Sequence, residues 1–321
     1  MFVSKQAAAL WIGSLLLLSG CSTTPELDQL RQSGEWQKFP RTELSQVPFF
    51  PQKQYQCGPA ALATLLNWSA VPITPDDLVP LVYVPERHGS FQAEMVAATR
   101  HYGRIPYVID PGMRPLIHEL NAGNPVLAFQ NLGLSWLPQW HYAVVIGVDP
   151  QNNQVILRSG TTQRHVVSVE TFARTWRRAD RWAMVVTKPG DIPATANPLS
   201  YVKAVSYFEQ KGQLNIARKS YQAAVTRWPA SLPAIMGLGN VYYHSGELLQ
   251  ARQSYQQALE VADDYAPAHN NLAQVLLEQG DLQSAHRHAM TAVNLGGKHL
   301  SNYQETLAAI EQRLAMQPHA P

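Results

Sequence analysis

The sequence predicts two folds in series: an α+β domain in which helices precede an antiparallel sheet, then an all-α stack of helix pairs. Three observations carry this. Apolar residues recur at helical spacing in three stretches between residues 57 and 124, but alternate or run together in strand-length segments between 125 and 189. Helices gathered ahead of strands indicate α+β, because a parallel α/β sheet needs the two to alternate. From residue 199 the chain repeats itself at a fixed period.

The chain has 321 residues, 45% of them apolar and 15% charged, which suits two globular domains and excludes a disordered chain. A formal net charge of +2, with no basic stripe, gives no ground for a nucleic-acid partner. At the start, Lys5 precedes "AAALWIGSLLLLSG", an apolar run too short for an ordinary membrane span, and Cys21 follows it. "LSGC" resembles the lipobox of bacterial lipoproteins, which implies residues 1–20 as signal peptide and Cys21 as the lipidated first residue of the mature chain. An uncleaved signal anchor is the alternative. With Ser22 next, the resemblance favours the outer membrane, facing the periplasm. Lipidation would consume one of two cysteines and leave Cys57 with no partner in an oxidising compartment.

Residues 21–46 are polar and weakly patterned and read as a tether. The first domain is expected over 47–189. "VPFF" reads as a short strand, residues 57–68 as a buried helix, and the proline-rich stretch after them as loops. "SFQAEMVAATRHYG" and "RPLIHELNAGN" read as two more helices, each stopped by glycine. "PVLAFQNL", "HYAVVIGVD", "QVILRSG" and "RWAMVVTKP" read as strands, with "DPQNN" a hairpin turn and "SVETFARTWRR" a helix capped by Ser168. A proline-rich linker, 190–198, closes the domain.

Residues 199–232, 233–266 and 267–300 align as three units of 34 residues. Gly212, Gly246 and Gly280 coincide, as do Ala217, Ala251 and Ala285, and Ala224, Ala258 and Ala292. Period and small residues resemble tetratricopeptide repeats: the glycine permits the turn between antiparallel helices, and the alanines let helices approach closely. Tyr221 and Tyr255 fill the aromatic position, where the third unit has Ala289. Gly239 matches a further small position. Residues 301–314 read as a terminal capping helix, so the repeat domain spans 199–321.

Chemistry concentrates at "QKQYQCGPAALATLL", residues 52–66. A thiol acting as an acyl-transfer nucleophile needs a lowered pKa, a base within reach and donors for the oxyanion. A helix start supplies the first through its dipole and free N–H groups, and Pro59 is tolerated in that first turn. The alternative is that Cys57 is a packed apolar residue.

"QKQYQCGPAALATLL" followed by "HYAVVIGVD" resembles the papain-like superfamily, and within it the cysteine peptidases that process bacteriocin leaders at double-glycine sites. The resemblance covers about residues 45–190. It implies Cys57 as nucleophile, His141 as base, and Gln52 with the Cys57 N–H as oxyanion donors; Gln54 and Gln56 are alternative glutamines. Relatives carry aspartate at the end of the next strand, where this chain has Ser159, or Arg158 beside it. Asp149 lies at the far end of the His141 strand, about 25 Å away at roughly 3.3 Å per residue. The imidazole is therefore expected to be oriented by Ser159 or a backbone carbonyl, or to act in a Cys–His dyad.

Trp136, Trp140 and Tyr142 around His141 read either as core or as part of a substrate groove. His286 and His288 lie two apart on a helix, which makes a solvated face the expected reading over a metal site. No phosphate-cradling glycine loop occurs, and no cofactor is expected. The sequence thus describes a lipid-anchored periplasmic cysteine peptidase whose repeats recruit a protein partner or substrate. The rival is a catalytically weak scaffold acting as a protein–protein adaptor.

Overall fold

A computed structural model of the chain describes residues 24–53 and 56–316, so Cys21 and Gln54 lie outside the described residues. The chain divides into two units, residues 24–99 with 108–186, and 100–107 with 187–316. The first boundary expected at 47 is therefore displaced: the segment read as a tether is folded from Thr24 onward. Helix α1 (Pro25–Gln32) opens with proline and carries Glu26 and Asp28 in its first turn and Arg31 in its last, complementing the helix dipole. Leu27 and Leu30 are buried, and Trp36 has no exposure. The Trp36 indole N–H donates to Pro150 O at 3.2 Å and Asn153 Oδ1 at 3.1 Å. Three large apolar side chains, with ion pairs of Arg31 to Glu170 and Glu35 to Arg114, hold a segment that its overall polarity suggested would stay loose.

Strand β1 (Thr42–Glu43) follows, and "VPFF" is not a strand. Pro48 removes a ladder donor, and the Val47 carbonyl is taken by the Arg158 guanidinium. Helix α2 (Cys57–Trp68) has the expected bounds, and every residue from Gly58 to Leu66 is buried. Helix α3 (Pro75–Val82), in the stretch expected to be loop, is started by a capping box in which Asp77 accepts from the Thr74 N–H at 2.9 Å. Helix α4 (Gln92–His101), strand β2 (Ile105–Val108) and helix α5 (Met113–Asn121) complete the helical half.

The sheet strands are β3 (Val126–Asn131), β4 (Trp140–Asp149), β5 (Gln154–Ser159), β6 (Thr162–Ser168) and β7 (Ala183–Thr187). Their order is β7-β3-β4-β5-β6, antiparallel, with β1 beside the far end of β4. Register sets Gln130 opposite His141 and Val144 opposite Arg158. Helix α6 (Val169–Arg177) is capped by Ser168, which accepts from the Thr171 N–H at 3.2 Å. Helix α2 packs on α3 and β4, and α6 on β3, β5 and β6.

In the second unit, six helices form three antiparallel pairs: α7 (Pro198–Gln210) with α8 (Leu214–Arg227), α9 (Leu232–His244) with α10 (Leu248–Val261), and α11 (Ala266–Glu278) with α12 (Leu282–Leu295). Gly212, Gly246 and Gly280 sit at the three turns with φ of +68°, +74° and +81°. All six aligned alanines are fully buried, as Tyr221 and Tyr255 nearly are. A polar ladder runs through the stack: Glu209 accepts from Tyr221 and Asn240, and Asn240 accepts from Tyr255 and Asn271. Helix α13 (Leu300–Ala315) closes the stack with Tyr303 and Ile310 buried. His288 is less solvated than expected: its Nδ1 lies 2.9 Å from Nδ1 of the buried His269, while His286 approaches Glu311 at 3.5 Å. The linker, 190–198, turns twice and belongs to this unit.

Candidate active site

Cys57 is the first residue of α2 and is half-buried. Burial pushes its thiol pKa up from the ordinary value, against the opposing pull of the backbone N–H groups of Tyr142, Gly58 and Cys57 itself. The expected depression is thus overturned: desolvation of a thiolate outweighs three N–H dipoles and the helix start. Those contacts also locate the sulfur, against the backbone of the residue that follows His141. The next residue, Gly58, packs closely on a different neighbour: a Cβ there would lie 2.3 Å from Ser90 Oγ.

His141 is buried at the start of β4, and its Nε2 lies 2.8 Å from Ser159 Oγ. Burial, with a smaller contribution from His165, lowers its pKa to about 4. At neutral pH the pair is therefore a neutral thiol and a neutral imidazole. In the tautomer whose Nε2–H donates to Ser159, Nδ1 carries the free lone pair that a general base needs. Ser159 is neutral and adds no charge to stabilise an imidazolium, in keeping with the low histidine pKa.

Ser159 also lines a narrow cleft with Cys57, Gln52, Phe49, Phe50 and Tyr142. The cleft offers about 10 Å³, room for one water. Three of the expected site residues, Cys57, Gln52 and Ser159, thus share one cleft, and His141 joins it through Ser159. Gln52 is fastened by its N–H to Gly160 O at 3.0 Å. Gln56 does not cap α2; its Oε1 is buried with no partner among the described residues, and it lines a neighbouring cavity of about 190 Å³ with Phe50, Lys53 and Asp76.

Asp149 has no part in the site. It is the last residue of β4, accepting from Asn152 in the turn and paired with Arg41 at 3.3 Å. Arg158, the other residue near the expected aspartate position, is buried and donates to the carbonyls of Ser45, Val47 and Gln163. It thereby fixes the strap that leads to Phe49 and Gln52. Neither this role nor the Tyr142 N–H facing the sulfur was anticipated; for Arg158 a signal existed, an arginine inside the apolar run "VILRSG". Of the aromatic cluster, Tyr142 is buried and lines the cleft, Trp140 stacks on Phe129 with centroids 5.2 Å apart, and Trp136 is exposed. Among the described residues no group of three or more metal-ligating side chains comes together.

Comparison with known families agrees with this architecture. Residues 44–184 match the Peptidase_C39 like family, and residues 231–298 match the tetratricopeptide repeat. The chain therefore joins a Peptidase_C39-like domain to tetratricopeptide repeats. A Bacillus anthracis protein described as a C39-like peptidase is 17% identical, covering 46% of this chain and 98% of its own, with a TM-score of 0.41. The Yersinia enterocolitica chaperone SycD, in complex with a peptide of the translocator YopD, is 22% identical over 36% of this chain and 92% of its own, at TM-score 0.34. The first repeat domain of Spaghetti (RPAP3), bound to an HSP90 peptide, is 15% identical over 37% and 93%, at TM-score 0.35. No curated protein matches the sequence.

Proposed function

We propose that the chain is a cysteine peptidase of the cell envelope, anchored through Cys21, in which Cys57 and His141 cleave peptide bonds while the repeats recruit a protein partner or substrate. The observation that carries this reading is the hydrogen bond between His141 Nε2 and Ser159 Oγ, at the cleft that Cys57 and Gln52 also line. Cys57 passes its proton to His141 Nδ1 as the sulfur attacks the peptide carbonyl carbon. Gln52 and the Cys57 N–H hold the oxyanion, and the imidazolium then protonates the leaving amine nitrogen. Water attacks the thioester, His141 takes its proton, and the carboxylic acid leaves as the thiol is restored. Because the resting thiol is protonated, it should alkylate with iodoacetamide no faster than a model thiol at pH 7, and turnover is the informative readout.

The test is Cys57→Ala in the full chain against a reporter peptide pool. Loss of cleavage with unchanged circular dichroism is expected; undiminished cleavage overturns the assignment. A second reading, an adaptor with a slow or silent site, is favoured by the raised thiol pKa and by a serine where relatives carry aspartate. It predicts no cleavage by the unaltered chain, with binding of the same peptides through the repeats.

A further inference from the structure

Of the fourteen large apolar side chains exposed among the described residues, five fall within residues 132–140. Leu134 is 49% exposed, Leu137 59% and Trp136 78%, in the segment between β3 and β4. This segment is built. Leu134 and Leu137 exchange both backbone hydrogen bonds at 3.1 Å. Asn131 Oδ1 accepts from the Gly133 N–H at 3.0 Å and the Gln139 N–H at 2.9 Å, and Arg178 donates to Gly133 O. The result is a braced hairpin whose tip presents tryptophan and leucine to the outside. Monomeric proteins rarely expose such a cluster without a partner for it.

The chain's own N-terminus indicates the partner. Thr24 is buried in a cleft with Glu26, Trp176 and Arg181. Arg181 pairs with Glu26 at 3.6 Å, and Arg178, three residues earlier in the same turn, holds the hairpin base. The N-terminal entry and the apolar hairpin are therefore fastened to the same end of α6. Cys21 precedes Thr24 by three residues, which span at most roughly 10 Å. Whether residues 1–20 are removed and Cys21 lipidated or the apolar run is kept, the membrane reached there lies close to this end of the domain.

We propose that the hairpin, through Leu134, Trp136 and Leu137, docks into the headgroup–acyl boundary of the lipid bilayer. Tryptophan and leucine at a tip, with Arg177 and Arg178 behind them, suit that boundary. The start of β4 with His141 then lies at the bilayer surface, where polypeptide emerging from the membrane would meet the cleft. The proposal shares with the proposed function the reading of residues 1–21 as a membrane anchor.

The test uses the full chain in phosphatidylethanolamine–phosphatidylglycerol vesicles, with an environment-sensitive fluorescent amino acid at position 137. A control chain carries it at position 151, in the turn beyond the other end of β4, at least roughly 30 Å away. The expected result is a blue shift at 137 and at least twofold quenching by brominated lipids, with neither at 151. Trp136→Ser should roughly halve the quenching at 137. An unshifted label at 137 overturns the proposal, and so does a shift without quenching, which would mean a second copy or a bound peptide. Flotation of the same samples reports the anchor separately. A floating chain whose 137 label stays in water defeats the hairpin and spares the anchor. A chain that fails to float but shows quenching on mixing with vesicles does the reverse.

Discussion

The two units solve the same problem, covering apolar surface, in opposite ways. In the repeat unit the main structural roles recur: a glycine turn at 212, 246 and 280, and alanine contacts at 217, 251 and 285. In the first unit each role is filled once. The Cys57 sulfur, the His141 ring and the Ser159 hydroxyl come from a helix start and two strands, and His141 meets Ser159 across the β4–β5 pair. Repetition makes substitutions graded and local, because each repeat leans only on its neighbours. A single assembled site should instead respond all at once.

The largest effect should come from the imidazole. His141→Gln is expected to reduce kcat/KM by about 10³-fold, within the usual range for removing a positioned base. Ser159→Ala should cost about 10-fold, since an orienting partner is lost while the base remains. Ser159→Asp should act in the other direction on pH: a carboxylate beside the ring favours the imidazolium, so the acid limb of kcat/KM should move up from near pH 4. Steady-state kinetics across pH 3.5–8 read all three. An acid limb that stays put in Ser159→Asp would mean that residue 159 does not touch the working tautomer.

Next comes a pH effect on stability. The His141 pKa is about 4 in the folded chain, against 6.5 for the free side chain. The unfolded chain therefore takes up this proton first on acidification. The stabilisation is complete above pH 6.5 and is lost as pH falls to 4. The 2.5-unit difference corresponds to about 3 kcal/mol. Denaturant titrations at pH 7 and pH 4 should show this loss in the unaltered chain and a smaller one in His141→Gln. Equal losses would place the ring in contact with water.

How much of this could be read beforehand follows the same divide. The repeat helices declared themselves by period, and α2 by an unbroken apolar run that is buried on every side. For the candidate site, the resemblance offered Ser159 as one of several partners for the His141 ring, and the structure places its hydroxyl 2.8 Å from Nε2. What stayed hidden was decided by single contacts. Helix α3 lay behind three prolines, although its Thr74–Asp77 box was present in the letters. Strand β6 is largely exposed and lacks the alternation that marks a half-buried strand. Residues 24–46 looked like tether because Leu27, Leu30 and Trp36 are widely spaced among polar neighbours. The direction of the Cys57 shift also could not be read, since a helix start lowers a thiol pKa only if burial does not exceed it.

A smaller effect tests the graded response of the repeats. A Cβ on Gly237 would lie 2.5 Å from Cζ of the Tyr221 ring. Gly237→Ala should therefore destabilise by about 1–2 kcal/mol, an overpacking cost partly offset by better helix propensity. In Tyr221→Leu, which removes the ring, the same change should be neutral or stabilising. The double-mutant cycle, measured by chemical denaturation, should then show coupling of about 1 kcal/mol or more. Additive effects would mean the helices simply shift apart.

The smallest effect is the most direct test of repetition itself. Gly246 has φ of +74° and nothing within 4 Å of where a Cβ would stand. Alanine there meets no neighbour, so its cost is the left-handed backbone alone, about 1 kcal/mol. The same holds at Gly212 and Gly280, whose φ values are +68° and +81° with equally open surroundings. Three separate glycine-to-alanine variants should thus lower stability by the same amount within about 0.5 kcal/mol, and combined they should add, because the turns share no contacts. A larger penalty at one turn would show that its loop carries something besides the reversal of the chain, and would mark that repeat as the place to look for a bound partner.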